Sequence, residues 1–334
     1  MDQKIQLLDQ QFPNRIIKDQ AFANLSTLEI GGPIGALFEA KLEQELMEVV
    51  SFAKENDIPY LVIGSGSNLL VSDEGFEGLV IKVETDSIKE EGNDLLVRSG
   101  TLLQTLVDHT IFNGLGGMNK MSGIPGTVGG AVYGKAGAYG HNISDYLAEV
   151  AVFDGEKVIK FTKKECEFGY RDSIFKKNKG TFSSNKLLIL EIRFANLPKA
   201  DSKQLVVESQ EIIQKRTAKY PPQTKCPGSF FKNIVADELD KKTLAKVKNY
   251  VTEFGKIPAG RLIEAVGGKG DQLGQIKITE NHGNTFVNLG DGTAKDFYAL
   301  AKKYHNKVKE KFGINLEPEV QLINLPPFAS PDQV

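Results

Sequence analysis

The sequence predicts an α+β protein of two or three domains, on three observations. Stretches of alternating apolar and polar residues fold back at turn signals, at Glu91-Gly92-Asn93-Asp94 and at Asp154-Gly155, as antiparallel hairpins do. Stretches with apolar residues at helical spacing, such as Leu42, Leu46, Val49, Val50 and Ala53, do not alternate one-for-one with strands. An α+β arrangement therefore fits better than a wound βαβ sheet. At 334 residues, 40% apolar and 25% charged, the chain is long enough to bury a sizeable core.

The elements follow in order. Residues 1–20 read as a short amphipathic helix and a polar lead-in. Residues 21–40 carry a strand, the Gly31-Gly32-Pro33 turn and a second strand around Ala36 to Ala40. The helix over 42–56 is stopped by Asp57-Ile58-Pro59, since proline disfavours helix before it. A strand–loop–strand covers 60–72, a hairpin 79–100, and a helix 101–113 ending at Asn113-Gly114. Residues 147–162 form another hairpin and 187–194 a strand. The polar run 196–203 marks a domain boundary. Beyond it, helices are expected over 202–218, 237–254 and 294–312, with Gly-rich turns and short strands over 259–289. A final strand is expected around NLEPEVQLIN, then a loose tail over 325–334.

Composition narrows the function classes. A formal charge of −2 gives no general attraction to nucleic acid or acidic membranes. Cys166 and Cys226 lie far apart without metal-type spacing, which suits a reducing compartment. The four histidines form no ligand spacing, so no metal is assigned. The N-terminus MDQKIQLLDQ has no apolar signal core, and no apolar run reaches the ~18–20 residues of a membrane helix. The expectation is a soluble cytoplasmic protein, and a monomer, since no extended apolar seam is visible.

Residues 123–140, GIPGTVGGAVYGKAGAYG, contain seven glycines. Such a backbone can turn repeatedly and lie against a neighbour, and bare N–H groups in turns make nests for anions. A second stretch, YLVIGSGSNLLVSD at 60–73, runs a strand into Gly64-Ser65-Gly66-Ser67-Asn68 and then into a second strand. It is not a dinucleotide fingerprint, because Leu69 stands where the third glycine belongs. Nor does it hold the Gly-Lys-Ser/Thr of a Walker loop. Two phosphate-type loops point to one large ligand held between two lobes.

Three further strings could carry chemistry. Arg171 in FGYRDSIF offers a planar fork for a carboxylate or phosphate. Ser229 in PGSFFKN is a hydroxyl beside two aromatics. Glu317 and Glu319 in LEPEV would share one face of a strand. Taken singly, each string favours a structural reading: an Arg paired with Asp172 or another acid, a turn Ser between core Phe residues, an exposed acidic pair.

Taken in order, GSGSNLLVSD, GIPGTVGGAVYGKAGAYG, FGYRDSIFK, PGSFFKN and LEPEV resemble the UDP-N-acetylenolpyruvoylglucosamine reductase (MurB) family. Thr27-Leu28-Glu29-Ile30-Gly31-Gly32-Pro33 is similar to its opening T-x-x-I-G-G-P strand, and the likeness spans about residues 20–322. The resemblance implies a two-lobed FAD-binding domain of the PCMH/vanillyl-alcohol-oxidase type over 21–196, with lobes at about 21–85 and 86–196. It implies an α+β substrate domain over 205–312, and a strand over 313–324 returning Glu319 to the active site.

The activity implied is NADPH-dependent, FAD-mediated reduction of UDP-N-acetylglucosamine enolpyruvate. That step serves peptidoglycan synthesis, and through it cell shape and division. By resemblance Arg171 binds the enolpyruvyl carboxylate, Ser229 protonates carbon, and Glu319 assists at the carboxylate. Tyr170, Lys219, Asn233 and Glu280 match substrate-side positions. Gly64, Ser65, Gly66, Ser67 and Asn68 match the FAD diphosphate site. Gly123, Ile124, Pro125, Gly126, Thr127, Gly129, Gly130, Gly137 and Ala138 match the run along the cofactor.

The chain departs from the family's pattern at Lys135, where Asn is common, and at Cys226-Pro227, where a small Ser-Ala pair is common. Ile234 replaces a Pro, and Arg261 replaces a Trp. The interval from Arg171 to Ser229 is short for the subtype with a Tyr-bearing substrate loop, so the subtype without it is expected. Two rivals stay open: another FAD oxidoreductase of the same cofactor fold, and a non-catalytic flavin-binding protein.

Overall fold

The computed structural model describes residues 2–177 and 187–328. Of the tail expected over 325–334, positions 329–334 lie outside the described residues. The chain is α+β and forms two compact units, each assembled from three segments.

The first unit comprises Met1–Gln20, Ile34–Ser65 and Glu77–Ala218. One of its sheets places Ile34–Ala40, Phe76–Val83 and Tyr60–Ile63 side by side, the last two parallel with Tyr60 opposite Leu79. The helix Glu43–Glu55 covers it with Leu46, Val49, Val50 and Ala53, all buried. That spacing is one face of a 3.6-residue period. The second sheet is antiparallel, ordered Val158–Thr162, Leu147–Phe153, Leu188–Phe194, Asp94–Arg98, Ile88–Glu91. The helices Leu103–Phe112 and Val128–Tyr133 pack into its core through Leu106, Val107, Ala131 and Val132. The hairpins turn where the sequence says they should, with Glu91 opposite Asp94 and Phe153 opposite Val158.

The second unit comprises Ala21–Pro33, Gly66–Phe76 and Lys219–Val334. Its centre is aromatic: Phe230 lies 4.7 Å from Phe231 and 5.1 Å from Phe297, ring to ring. The helix Ala294–Phe312 buries Phe297, Leu300, Ala301, Tyr304 and Val308 on this core. Thr293 caps its start, and Asp73 accepts from Ala294 and Lys295 as a second cap. Gly313 ends it at φ 79°, the left-handed cap that glycine adopts without penalty. A parallel pair joins Leu69–Val71 to Gln321–Ile323.

Several expectations change. The strand expected first in 21–40 is a 3-10 turn, Phe22–Leu25. The helix expected over 237–254 shortens to Lys241–Val247, because Asp240 accepts from the amides of Lys242 and Thr243 and starts it there. Residues 259–289, read as turns and strands, include the helix Ala259–Ala265. The final strand covers only Gln321–Ile323, so Glu317 and Glu319 precede it.

The unit changes at 218/219 rather than in 196–203, because the helix Ser202–Lys219 buries Leu205 in the first unit's core. Segments 21–33 and 66–76, expected in the cofactor domain, supply Leu28, Ile30 and Leu70 to the second unit's core. No helix among the described residues is long and apolar enough to cross a membrane.

Candidate functional site

In the first unit the strand Tyr60–Ile63 delivers Gly64 against Thr127. A Cβ at Gly64 would sit 2.4 Å from Thr127 Oγ1, so the two glycine-rich stretches touch there. Thr127 in turn caps the helix Val128–Tyr133, its hydroxyl accepting from the Gly130 amide at 3.2 Å. Val128 and Gly129 donate to the carbonyls of Thr101 and Ser99, each at 2.8 Å. The Gly123 amide donates to Gln104 Oε1 at 2.7 Å.

These bonds correct the physical reading of the stretch. The amides of Gly123, Gly129 and Gly130 serve the protein and are not a bare anion nest. Gly129 is required by packing, since a Cβ would lie 2.7 Å from Ser99 Cβ. Gly137 and Ala138 form a two-residue ladder with His141 and Asn142. Two buried hydroxyls of the same unit, Ser65 Oγ and Ser99 Oγ, have no hydrogen-bond partner among the described residues. An unsatisfied buried hydroxyl costs about 1–3 kcal/mol, which a bound polar ligand would recover.

The FGYRDSIF string locks onto the same stretch. Arg171 donates to the carbonyls of Lys135 at 3.0 Å and Gly137 at 2.6 Å, and Ser173 to that of Tyr133 at 2.7 Å. Three alternate carbonyls of the stretch are thereby held by two side chains of one turn. Arg171 adopts φ 53°, uncommon for a residue with a Cβ. The ring of Tyr170 lies 5.5 Å from its guanidinium carbon. Lys135, also at positive φ, places its ammonium 6.0 Å from the Phe168 ring, and burial lowers its pKa.

In the second unit Ser229 follows Gly228, whose φ is 86°. Ser229 bridges Thr285, and the next residues are gripped by the buried Asn284. Asn284 accepts from Phe230 through its carbonyl at 3.0 Å and from Phe231 through Oδ1 at 2.9 Å. Its Nδ2 donates to the Phe231 carbonyl at 2.7 Å. On the other side Glu319 donates its amide to the Phe230 carbonyl at 2.8 Å. Ser229 and Glu319 thus both adjoin Phe230, the first as its chain neighbour and the second through this backbone bond.

Lys219 Nζ donates to Ser229 Oγ at 3.3 Å, and the Tyr220 hydroxyl lies 3.0 Å from the same oxygen. His282 accepts at Nδ1 from the Asn284 amide at 3.2 Å. Burial first, then the Lys219 charge, holds its pKa down to about 4.

The remaining candidates are scattered more widely. Asn233 accepts from the Ala259 amide at 3.2 Å and so caps the helix Ala259–Ala265. Glu280 is exposed and pairs with Lys277 at 3.3 Å. Ser67 and Asn68 lie in the second unit with Gly66, whereas Gly64 and Ser65 lie in the first. Arg171 belongs to the first unit, Ser229 and Glu319 to the second. Glu317 and Glu319 do not share a face: Glu317 is exposed and paired with Lys232 at 2.9 Å, while Glu319 is half-buried. Outside a strand, alternation has no hold on them. Sequence reasoning missed Tyr220, Asn284 and His282. Only Tyr220 carried a local signal, its place beside Lys219.

Residues 34–159 match the sequence profile of an FAD binding domain. Residues 220–323 match that of the UDP-N-acetylenolpyruvoylglucosamine reductase C-terminal domain. The chain is 38% identical to the UDP-N-acetylenolpyruvoylglucosamine reductase of Solibacter usitatus, over 88% of this chain and 92% of that one. It is 32% identical to the reductase of Bacillus subtilis, over 97% and 99%. It is similar to the crystal structure of the reductase from Thermus caldophilus, with a TM-score of 0.70 and 30% identity, covering 91% of this chain and 97% of that one.

Proposed function

The chain belongs to the UDP-N-acetylenolpyruvoylglucosamine reductase family, and from that premise we propose that it reduces UDP-N-acetylglucosamine enolpyruvate to UDP-N-acetylmuramate. NADPH is the reductant in this reading, FAD the cofactor, and peptidoglycan precursor synthesis the setting. A monomeric, cytoplasmic enzyme is part of the same proposal. The observation that carries it is the Ser229–Phe230–Glu319 arrangement, in which the half-buried Glu319 donates its backbone amide to the carbonyl of the residue that follows Ser229.

The first unit fits FAD on its own chemistry. Its two glycine-rich stretches meet at Gly64 and Thr127, and Ser65 Oγ is buried without a partner among the described residues. Gly64 to Asn68 and Gly123 to Ala138 are proposed to hold the group. When bound, FAD would supply the two-electron transfer between NADPH and the enolpyruvyl carbon.

The remaining work falls to side chains. An enol ether resists reduction unless its carboxylate accepts the developing charge. Arg171, which donates to the Lys135 and Gly137 carbonyls, is proposed to bind that carboxylate and Glu319 to assist there. Ser229 is proposed to give its hydroxyl proton to the adjacent carbon. Tyr170, Lys219, Asn233 and Glu280 are proposed on the substrate side.

Anaerobic absorbance tests the reading. The protein should show a flavin band, bleach with NADPH, and recover with the enolpyruvyl sugar. Bleaching without recovery would sink the proposed substrate, and no flavin after FAD is supplied would sink the cofactor.

A further inference from the structure

The Ser229 hydroxyl has two neighbours nine and ten residues earlier in the chain. Tyr220 places its hydroxyl 3.0 Å from Ser229 Oγ, and Lys219 Nζ donates to that oxygen at 3.3 Å. The Lys219 ammonium also lies 4.8 Å from the centroid of the Tyr220 ring. Alcohol, phenol and ammonium therefore form one connected cluster. Its serine end is anchored by the Ser229–Thr285 bridge and by Asn284.

We propose that Tyr220 is a positioning residue for Ser229 that resupplies its proton. The proposal rests on the reading of Ser229 as proton donor to carbon. An aliphatic alcohol is a poor acid, and the alkoxide it leaves is a strong base. When Ser229 gives up its proton, the O–H electron pair stays on Oγ. In the same step the Tyr220 O–H breaks, its proton forms a new Ser229 O–H, and the negative charge passes to the phenolate. A phenol is much the stronger acid, so the transfer runs downhill. The phenolate faces the Lys219 ammonium, whose charge stabilises it at close range. One proton from water restores the phenol. No electrons change hands, and the net result is one solvent proton delivered to carbon. The Lys219 ammonium also donates to Ser229 Oγ but from farther away, 3.3 Å against 3.0 Å for the phenol, so it is not assigned this role. It fixes the serine oxygen and the phenolate instead.

Tyr220→Phe keeps the ring over Lys219 and removes only the hydroxyl. In the full-length, FAD-loaded protein, flavin content is expected unchanged. So are bleaching by NADPH and substrate affinity by calorimetry. Reoxidation by the enolpyruvyl sugar is expected to slow by roughly 10- to 100-fold, at or below the low end for a positioned acid. Its dependence on D2O fraction should change from curved to linear, as two protons in flight become one. In a Ser229→Ala background, Tyr220→Phe should cost nothing further.

If Ser229→Ala alone reoxidises at the wild-type rate, the reading of Ser229 fails. If it is slow while Tyr220→Phe is not, Ser229 stands and the role of Tyr220 is overturned. Should Tyr220→Phe lose its flavin, the wild-type D2O dependence decides: a curve supports the relay and a straight line overturns it.

Discussion

Asn68 donates from Nδ2 to the backbone carbonyl of Glu319 at 3.2 Å, and its own carbonyl accepts from the Gln321 amide at 2.9 Å. A residue chosen from the glycine-serine loop is thereby tied to the segment that carries the proposed acid. The parallel pairing of Leu69–Val71 with Gln321–Ile323 continues the same register.

That register separates two acids that look equivalent in sequence. Glu319 is half-buried, whereas Glu317 is exposed and paired with Lys232. Glu319→Gln is expected to lower kcat by roughly 100-fold or more with FAD retained, the scale of a lost charge-stabilising group. Glu317→Gln should change stability by less than ~1 kcal/mol and leave turnover intact. Steady-state NADPH oxidation and thermal melts check both.

Arg171→Lys should fail although charge is kept. One ammonium cannot reproduce the fork that spans the Lys135 and Gly137 carbonyls. Turnover should drop by about 10²-fold or more, and stability by ~1–3 kcal/mol for the carbonyls left unsatisfied. Wild-type kcat in Arg171→Lys would refute the assignment.

Asn233 separates two roles. Its Oδ1 caps the helix Ala259–Ala265 through the Ala259 amide, so Asn233→Ala should cost ~1 kcal/mol of stability. Asn233→Asp keeps the cap but sets a negative charge on the proposed substrate side. Its melting temperature should hold while KM rises. An unchanged KM in Asn233→Asp would leave only the capping role.

Gly129→Ala should destabilise the first unit, because the added methyl meets Ser99 Cβ at 2.7 Å and the Ser99 carbonyl at 2.9 Å. Overpacking of this kind costs ~1–3 kcal/mol. Chemical denaturation should show a lower midpoint in Gly129→Ala, whether or not FAD is added.

His282 gives a pH dependence. Burial, aided by Lys219 and Lys269 and opposed by Glu264, takes its pKa from an ordinary 6.5 to about 4 in the folded protein. Between those values the unfolded chain binds the extra proton. Stability present above the ordinary value is therefore lost as pH falls toward the folded one. Replacing His282 with Gln should flatten that loss by roughly 1–3 kcal/mol. Melting curves between about pH 7 and pH 4.5 would show parallel slopes if the idea is wrong.

What the sequence determined by itself was local. Turn chemistry set the hairpins at Gly92-Asn93 and Asp154-Gly155, and a 3.6-residue apolar period set the helix Glu43–Glu55. Five strings in order were enough to identify the family, because each is a contiguous pattern. The tertiary structure decided what those patterns lie against. It brought Leu28, Ile30 and Leu70 into the core of the second unit. It showed that Gly129 is glycine because Ser99 is close, and that Arg171 reaches the carbonyls of Lys135 and Gly137. It took Glu319 out of its expected strand and set Tyr220 on Ser229. A glycine such as Gly129 says that a Cβ is not tolerated, and an arginine such as Arg171 says that an acceptor is wanted. Neither names its partner, because long-range burial and backbone hydrogen bonds leave no periodic trace in the residues that form them.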